Sequence, residues 1–515
     1  VSLPNPVPPP PPKPKRKRVK AEPQTYSILV PGTHYRSFDE PPFHQSGEIF
    51  ASAGWQELRR HGLFFTRAGQ VVMIDKKTCK LKFLTDRSLR SLIERYLTLE
   101  AWPKPVANAS PEVERRVCSL DWASLMLEHP TQVDSESGDI WIPELLAIAP
   151  HPLLDLEGNV LIGKHKTPRG VVWTPKIVLP EPIAPFDLLE DFPMDRASLA
   201  HAMAVPLTMM WRPLLDGNVP FFGVTASVER SGKTKLSEDF FGGTMLGAPT
   251  PTIQWPKDED EVDKRILSIA IAGHSLINMD NIPSILDSPS LTSFVTASAP
   301  GGRMLGKNEY VSVPNTITLV GTGNHMQFSA ELAKRACMVR LNPGVENPEL
   351  RTGFRYPDFR GAIMGRRWNT IAWYVAMVQK WVAMGRPPCT RPFGGFERWG
   401  GTVGGVVEHA MELPILQDRA SNVIDMDNDG QDLKHLIECW FSVHGSSWVT
   451  TAELMPCVTN ENVRAWESVM STSKAPLISL GRILGRYVDR IADGYRIERS
   501  GSGSRRLYRL VGMSR

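Results

Sequence analysis

Apolar positions follow three different rhythms along the 515 residues. Between about 30 and 185 they come in short bursts. Leu63-Phe64-Phe65 and Val71-Val72-Met73-Ile74 flank Ala68-Gly69 and predict a hairpin, and Ile140-Trp141-Ile142, Leu153-Leu154 and Val160-Leu161-Ile162 predict further strands around Asp155-Leu156-Glu157-Gly158. After Pro180, Pro182 and Pro185, and as far as about 385, apolar strands alternate with helical segments, the pattern of an α/β core. Its strands are read at 221–225, 275–279 and 316–320. Near the end, Leu480, Ile483, Leu484, Tyr487, Val488 and Ile491 fall on one face of a helix expected over 479–491, followed by strand-like runs at 495–497 and 507–511.

These rhythms divide the chain into a Pro-rich basic linker (1–30), a mixed α/β N-terminal accessory domain (31–185), an α/β core (186–385), a flexible linker (386–430) and a C-terminal domain (431–515). The flexible assignment rests on Gly394, Gly395, Gly400, Gly401, Gly404 and Gly405. In the last domain Trp448 and Val449 read as a short strand, with Thr450 or Thr451 as the N-cap of the next helix.

Composition excludes wholesale disorder, since 42% of residues are apolar and 22% charged. The most apolar stretch, 199–211, contains His201 and Pro206 and falls short of the roughly 18 residues needed to span a bilayer. No signal-peptide pattern opens the chain, which starts at Val1 and reads as a processed or trimmed piece. A soluble, cytoplasmic protein without a membrane partner is expected. The six cysteines are scattered without zinc or disulfide spacing.

The formal charge of +4 hides local extremes. Lys13, Lys15, Arg16, Lys17, Arg18 and Lys20 contribute +6, and eight Arg against Asp489, Asp493 and Glu498 give +5 between 479 and 511, so the rest sums to 4 − 6 − 5 = −7. The N-terminal run reads equally as a solvated tail or an electrostatic arm for nucleic acid; as a nuclear-import signal it makes the nucleus the alternative to the cytoplasm.

The candidate chemistry lies in the core. After the strand at 221–225 come Ser227-Val228-Glu229-Arg230-Ser231-Gly232-Lys233-Thr234 and a helical segment, the order of a phosphate-binding loop. Backbone N–H groups from Ser227 through Arg230, Ser231 and Gly232 to the helix start can cradle the phosphates of ATP; Lys233 reaches the β- and γ-phosphates, and the Thr234 hydroxyl ligates Mg²⁺. Ser227 stands where the motif has Gly, which strains the turn if that position needs a positive φ. Asp280, ending the second strand, is the candidate magnesium-positioning acid, and Asn281 follows where a second, water-activating acid often stands. The acidic run 258–261, with Glu259, Asp260 and Glu261, is either a source of that base or a solvated helix start. Asn324, ending the third strand, can orient the attacking water. Arg335 or Arg340 can act in a neighbouring subunit's site as a finger on developing phosphoryl charge.

The C-terminal helix carries Arg482, Arg486 and Arg490 at i, i+4 and i+8, and the tip between the final strands carries Arg505 and Arg506. Helix, hairpin and basic tip read as a winged helix whose arginines lie on DNA.

The order of 227–234, Asp280, Asn324 and Arg335, with gaps of 47 between Lys233 and Asp280 and 44 between Asp280 and Asn324, resembles the superfamily 3 helicases within the AAA+ class. More narrowly it resembles the helicase part of phage and plasmid primase-helicases. The specific motifs lie in 221–341; Asp191-Phe192-Pro193 and 152–163 extend the likeness more weakly. The resemblance implies an AAA+-like ATPase core, a homo-hexameric ring, action in replication, and a basic hairpin within 291–314 that tracks single-stranded DNA through Arg303 and Lys307. An upstream primase domain is a further implied partner. Two rivals remain: an AAA+ regulator that remodels a protein partner, and a non-hydrolysing winged-helix DNA-binding protein.

Overall fold

The computed structural model describes residues 26–29, 32–34, 43–45, 47–101, 114–130, 142–303, 310–343, 348–417, 428–458, 476–488, 491–492, 494–501 and 506–512. The basic run Lys13 to Lys20 and the dipeptide Ile140-Trp141 lie outside them. The chain forms two compact units, one of residues before Glu144 and one of Glu144–Arg515 joined by Arg67–Gly69 and Lys76–Leu81.

In the first unit three helices, Gly47–Leu58, Asp86–Tyr96 and Leu120–Glu128, enclose Phe50, Trp55, Leu89, Ile93 and Met126. The indole of Trp55 donates to Met126 O at 2.8 Å, so a large apolar ring is buried without leaving its N–H unpaired. The expected hairpin forms from Phe64–Arg67 and Gln70–Asp75, turning through Ala68 and Gly69 at φ 50 and 71.

The second unit begins ahead of the expected boundary at 185. Leu154 and the partly buried Val160 pack into its core, and Trp211 Nε1 donates to Asp155 O at 3.1 Å, which ties this stretch to the helices that follow. At its centre lies a sheet of β1 (Phe221–Ala226), β2 (Thr252–Gln254), β3 (Leu276–Ile282), β4 (Thr318–Asn324) and β5 (Ala336–Leu341). The order is β2-β3-β4-β1-β5 and every pair is parallel. Helices bury such a sheet on both faces, which is why its strands read as unbroken apolar runs and all six residues of β1 are buried. Close packing also fixes small residues: a Cβ at Gly321 would lie 2.4 Å from both Phe221 Cζ and Ile282 Cδ1.

Around the sheet run α1 (Arg196–Trp211), α2 (Glu259–Ala272), α3 (Pro289–Thr296) and α4 (Phe359–Ala383). The stretch expected to be flexible between 386 and 430 is instead packed as far as Gln417. Short helical segments bury Trp399, Val403, Val406 and Val407 in the main core. A Cβ at Gly405 would lie 2.5 Å from Pro387 O and 2.8 Å from Trp381 Nε1, so this glycine serves close approach rather than freedom. Residues 418–427 lie outside the described set.

The C-terminal part has its own core, with Leu436, Trp440, Leu454, Leu480, Leu484, Ile497, Tyr508 and Leu510. It contains α5 (Asn428–His444), α6 (Thr451–Val458), α7 (Pro476–Tyr487) and the antiparallel pair β6 (Tyr495–Ser500) and β7 (Leu507–Gly512). Thr450 is the N-cap of α6: its Oγ1 accepts from Glu453 N at 3.3 Å, and Glu453 Oε2 accepts from Thr450 N at 2.7 Å, a capping box. The helix expected over 479–491 starts earlier and ends at Tyr487. Val488 bridges Ile497 and Ile491 pairs with Arg496, because these β-branched residues join the sheet instead of extending the helix. No helix among the described residues is long and apolar enough to cross a membrane.

Candidate functional site

Parallel order brings the ends of β1, β3 and β4 to one edge of the sheet, the edge where open α/β sheets bind ligands. The loop 227–234 leaves β1 there. In register, Ala226 faces Asn324, so β4 delivers its terminal amide beside the start of the loop. His325 N donates to Ala226 O at 3.0 Å and Met326 N to Thr225 Oγ1 at 2.8 Å, which pins the turn after β4 to β1.

The loop turns through positive φ at Arg230 (58) and Gly232 (93), whereas Ser227 is not among the positive-φ residues. The strain expected at Ser227 is therefore absent and falls on Arg230. Ser231 is buried and its hydroxyl donates to Val228 O at 2.5 Å, closing the loop on itself. Lys233 and Thr234 open the helical segment, which runs with π-helical turns over Lys235–Gly242. Lys233 Nζ donates to Asn324 Oδ1 at 2.5 Å. Burial pushes the Lys233 ammonium below its ordinary pKa, and the Asp280 and Glu229 carboxylates pull the other way.

Asp280 is held from both neighbouring strands. Its Oδ1 accepts from Thr322 Oγ1 on β4 at 2.5 Å, and its Oδ2 lies 3.4 Å from Gln254 Nε2 on β2. Thr322 carried no signal in the sequence; it becomes visible only once β4 is known to lie between β1 and β3. Asn281 sits at a β-bulge, where the β3–β4 register shifts between Met279 and Ile282, with φ 63 and an exposed side chain. Left-handed backbone admits Asn more readily than the longer Glu, so the residue is matched to the bulge. Glu259 serves the fold, since its Oε1 accepts from Ser288 Oγ at 2.8 Å and Ser290 N at 2.7 Å at the start of α3. Asp258 caps α2, so the acidic run is a helix start.

Arg335 does not join this cluster within the chain. It precedes β5 at the opposite edge, where Phe221 N donates to its carbonyl, roughly 17 Å along the strand from the loop. Its guanidinium pairs with Glu331 at 3.2 Å. Arg340 lies in register with Thr225 at the loop edge. Exposed Arg303 faces Tyr310 across the hairpin of Gly301–Arg303 and Tyr310–Ser312. Lys307 lies outside the described residues, as do Arg490, Arg505 and the side chains of Arg482 and Arg486. Arg506 is exposed. Arg496 and Arg509 both pair with Glu498, the latter at 2.7 Å, and the Arg509 guanidinium stands 4.7 Å from the Trp448 ring centroid, so two of the eight C-terminal arginines share one carboxylate within the domain.

Beside the loop opens a cavity of about 330 Å³. Residues 230–235 form one wall, and Phe192, Phe354, Tyr356 and Phe359 with four prolines, Asp191 and Arg351 form the rest. Phe192 packs directly on the loop, its ring 3.2 Å from where a Gly232 Cβ would be.

No protein-family model and no curated protein matches this sequence. Among solved structures the chain is similar to one described as "SCCmec type IV Cch - active helicase", with a TM-score of 0.34 and 10% identity, over 88% of this chain and 98% of that one.

Proposed function

We propose that this chain is an ATP- and Mg²⁺-dependent DNA helicase, working as a homo-hexameric ring in the replication of a phage or mobile element. In this reading the large unit is an AAA+-like core of superfamily 3 type and the C-terminal part a winged helix. The observation that carries the reading is the meeting of Lys233, Asn324 and Asp280 at the edge of a parallel sheet, beside an apolar cavity walled by the same loop.

The residues fit a magnesium-bound triphosphate: a lysine, a backbone loop with a positive-φ glycine, and a carboxylate oriented by a hydroxyl are the donor set such a group needs. Thr234 and Asp280 would hold Mg²⁺, which neutralises phosphate charge when bound. Lys233, half-desolvated, places a cation against the phosphates, and Asn324 is left to orient water once Lys233 turns to them. Arg335 serves the site of the next subunit. Arg303 and Lys307 contact single-stranded DNA, while Arg482, Arg486, Arg490, Arg505 and Arg506 contact duplex.

Lys233→Ala is expected to abolish ATP hydrolysis, measured as phosphate release with and without single-stranded DNA. Hydrolysis at the parent rate would remove the assignment. Hydrolysis in the parent that DNA does not stimulate would transfer the reading to a protein remodeller.

A further inference from the structure

Resting on the nucleotide reading above, we infer that the site does not select among nucleobases: it takes purine and pyrimidine nucleoside triphosphates alike. Strong discrimination requires a site that offers hydrogen-bonding groups matched to one base edge, because the wrong base then leaves those groups unpaired. A wall of apolar groups cannot reject an isostere strongly.

Away from the loop, the polar side chains of the described cavity wall, Asp191, Arg351 and Tyr356, hydrogen-bond to one another or to groups behind the wall. Asp191 Oδ1 accepts from Arg351 Nη2 at 2.8 Å, and its Oδ2 accepts from Arg355 N at 2.8 Å. Arg351 Nη1 donates to Asp191 O at 2.5 Å. Tyr356 donates to Asp187 Oδ2 at 2.5 Å and accepts from Arg366 Nη1 at 3.1 Å. Backbone donors are scarce too, since Pro193, Pro343, Pro348 and Pro357 have no N–H. Pro193 O already accepts from Asn342 N at 2.8 Å.

What the wall does offer is aromatic surface. Phe192 and Phe359 lie 5.4 Å apart between ring centroids, and Phe354 lies under the Arg351 guanidinium. Stacking on such faces tolerates any base, because each has a π-face. Among the described residues of the wall, the polar groups left to meet a ligand are mainly those of 230–235, which address the triphosphate common to every nucleotide.

The test is displacement of a fluorescent N-methylanthraniloyl-ATP probe from the full chain by ATP, GTP, CTP and UTP, each with Mg²⁺. The four inhibition constants are expected to agree within tenfold, and a wider spread overturns the inference. If the probe fails to bind, or binds Lys233→Ala as tightly as the parent, the nucleotide reading itself fails and base tolerance falls with it. If the probe binds through Lys233 and the spread exceeds tenfold, base tolerance alone fails.

Discussion

Thr322 shows how much one hydroxyl can decide. It is buried in β4 and its donated hydrogen bond fixes one oxygen of Asp280, so the fold itself orients the carboxylate. Thr322→Val keeps the shape and removes the donor. On the nucleotide reading, the Mg²⁺ concentration for half-maximal ATP hydrolysis is expected to rise about tenfold, with Thr322→Ser restoring it. An unchanged magnesium dependence would show that Asp280 needs no orienting partner. Asp280 and Asn324 are legible in the sequence because each stands at the end of an apolar run, and Lys233 because it sits in a Gly-Lys-Thr loop that follows one. Thr322 was not, since a threonine within a strand has nothing in its neighbourhood to distinguish it. The meaning of Asn281 was likewise hidden: what looks in sequence like a missing acid is a residue suited to φ 63 at a bulge.

At the scale of elements, the strands were legible and their lateral order was not. Apolar runs announce that a strand is buried, but adjacency depends on which helices cover it. The placement of β4 between β3 and β1 puts Asn324 beside the loop and Thr322 beside Asp280. The glycine-rich stretch after 386 misled for a related reason: a glycine needed for contact and one needed for freedom look the same in one dimension. The acidic run at the head of α2 resolves as capping. Glu259→Ala is expected to lower stability by about 1 kcal/mol through loss of the cap on α3, seen as a shift of the chemical unfolding midpoint, while phosphate release stays within twofold of the parent. Loss of hydrolysis in a folded Glu259→Ala protein would return Glu259 to the candidates for general base.

For the molecule as a whole, the charge count conceals where charges reside. Arg212 and Arg367 are held by backbone carbonyls, Arg212 by Ile317 and Gly217 and Arg367 by Thr244, Met245 and Pro150, and burial pushes their pKa values down to about 9 and about 10. No sequence pattern marks them off from surface arginines. His151 is fully buried within electrostatic reach of Arg367, its Nε2 without a hydrogen-bond partner among the described residues, and burial pushes its pKa down to about 4. The unfolded chain takes up this proton near 6.5, so the stabilising contribution is complete above that pH and is lost as pH falls through about 4. Its size is about 3 kcal/mol. Thermal unfolding followed from pH 7.5 to 4.5 is expected to show a shallower pH slope for His151→Gln than for the parent, and equal slopes would assign the acid sensitivity elsewhere.

Lys233 and Arg335 stand at opposite edges of one sheet. On the proposed trans role, a copy that lends Arg335 to a neighbour's loop gives from one end of the sheet and receives at the other. Where giving and receiving fall on separate surfaces the contact is heterologous; a two-fold dimer satisfies it only where one self-complementary surface carries both groups. In the heterologous case each addition leaves one unused giver and one unused receiver, so assembly would end only when the rotation between copies closes a circle, and would otherwise continue as a helical filament.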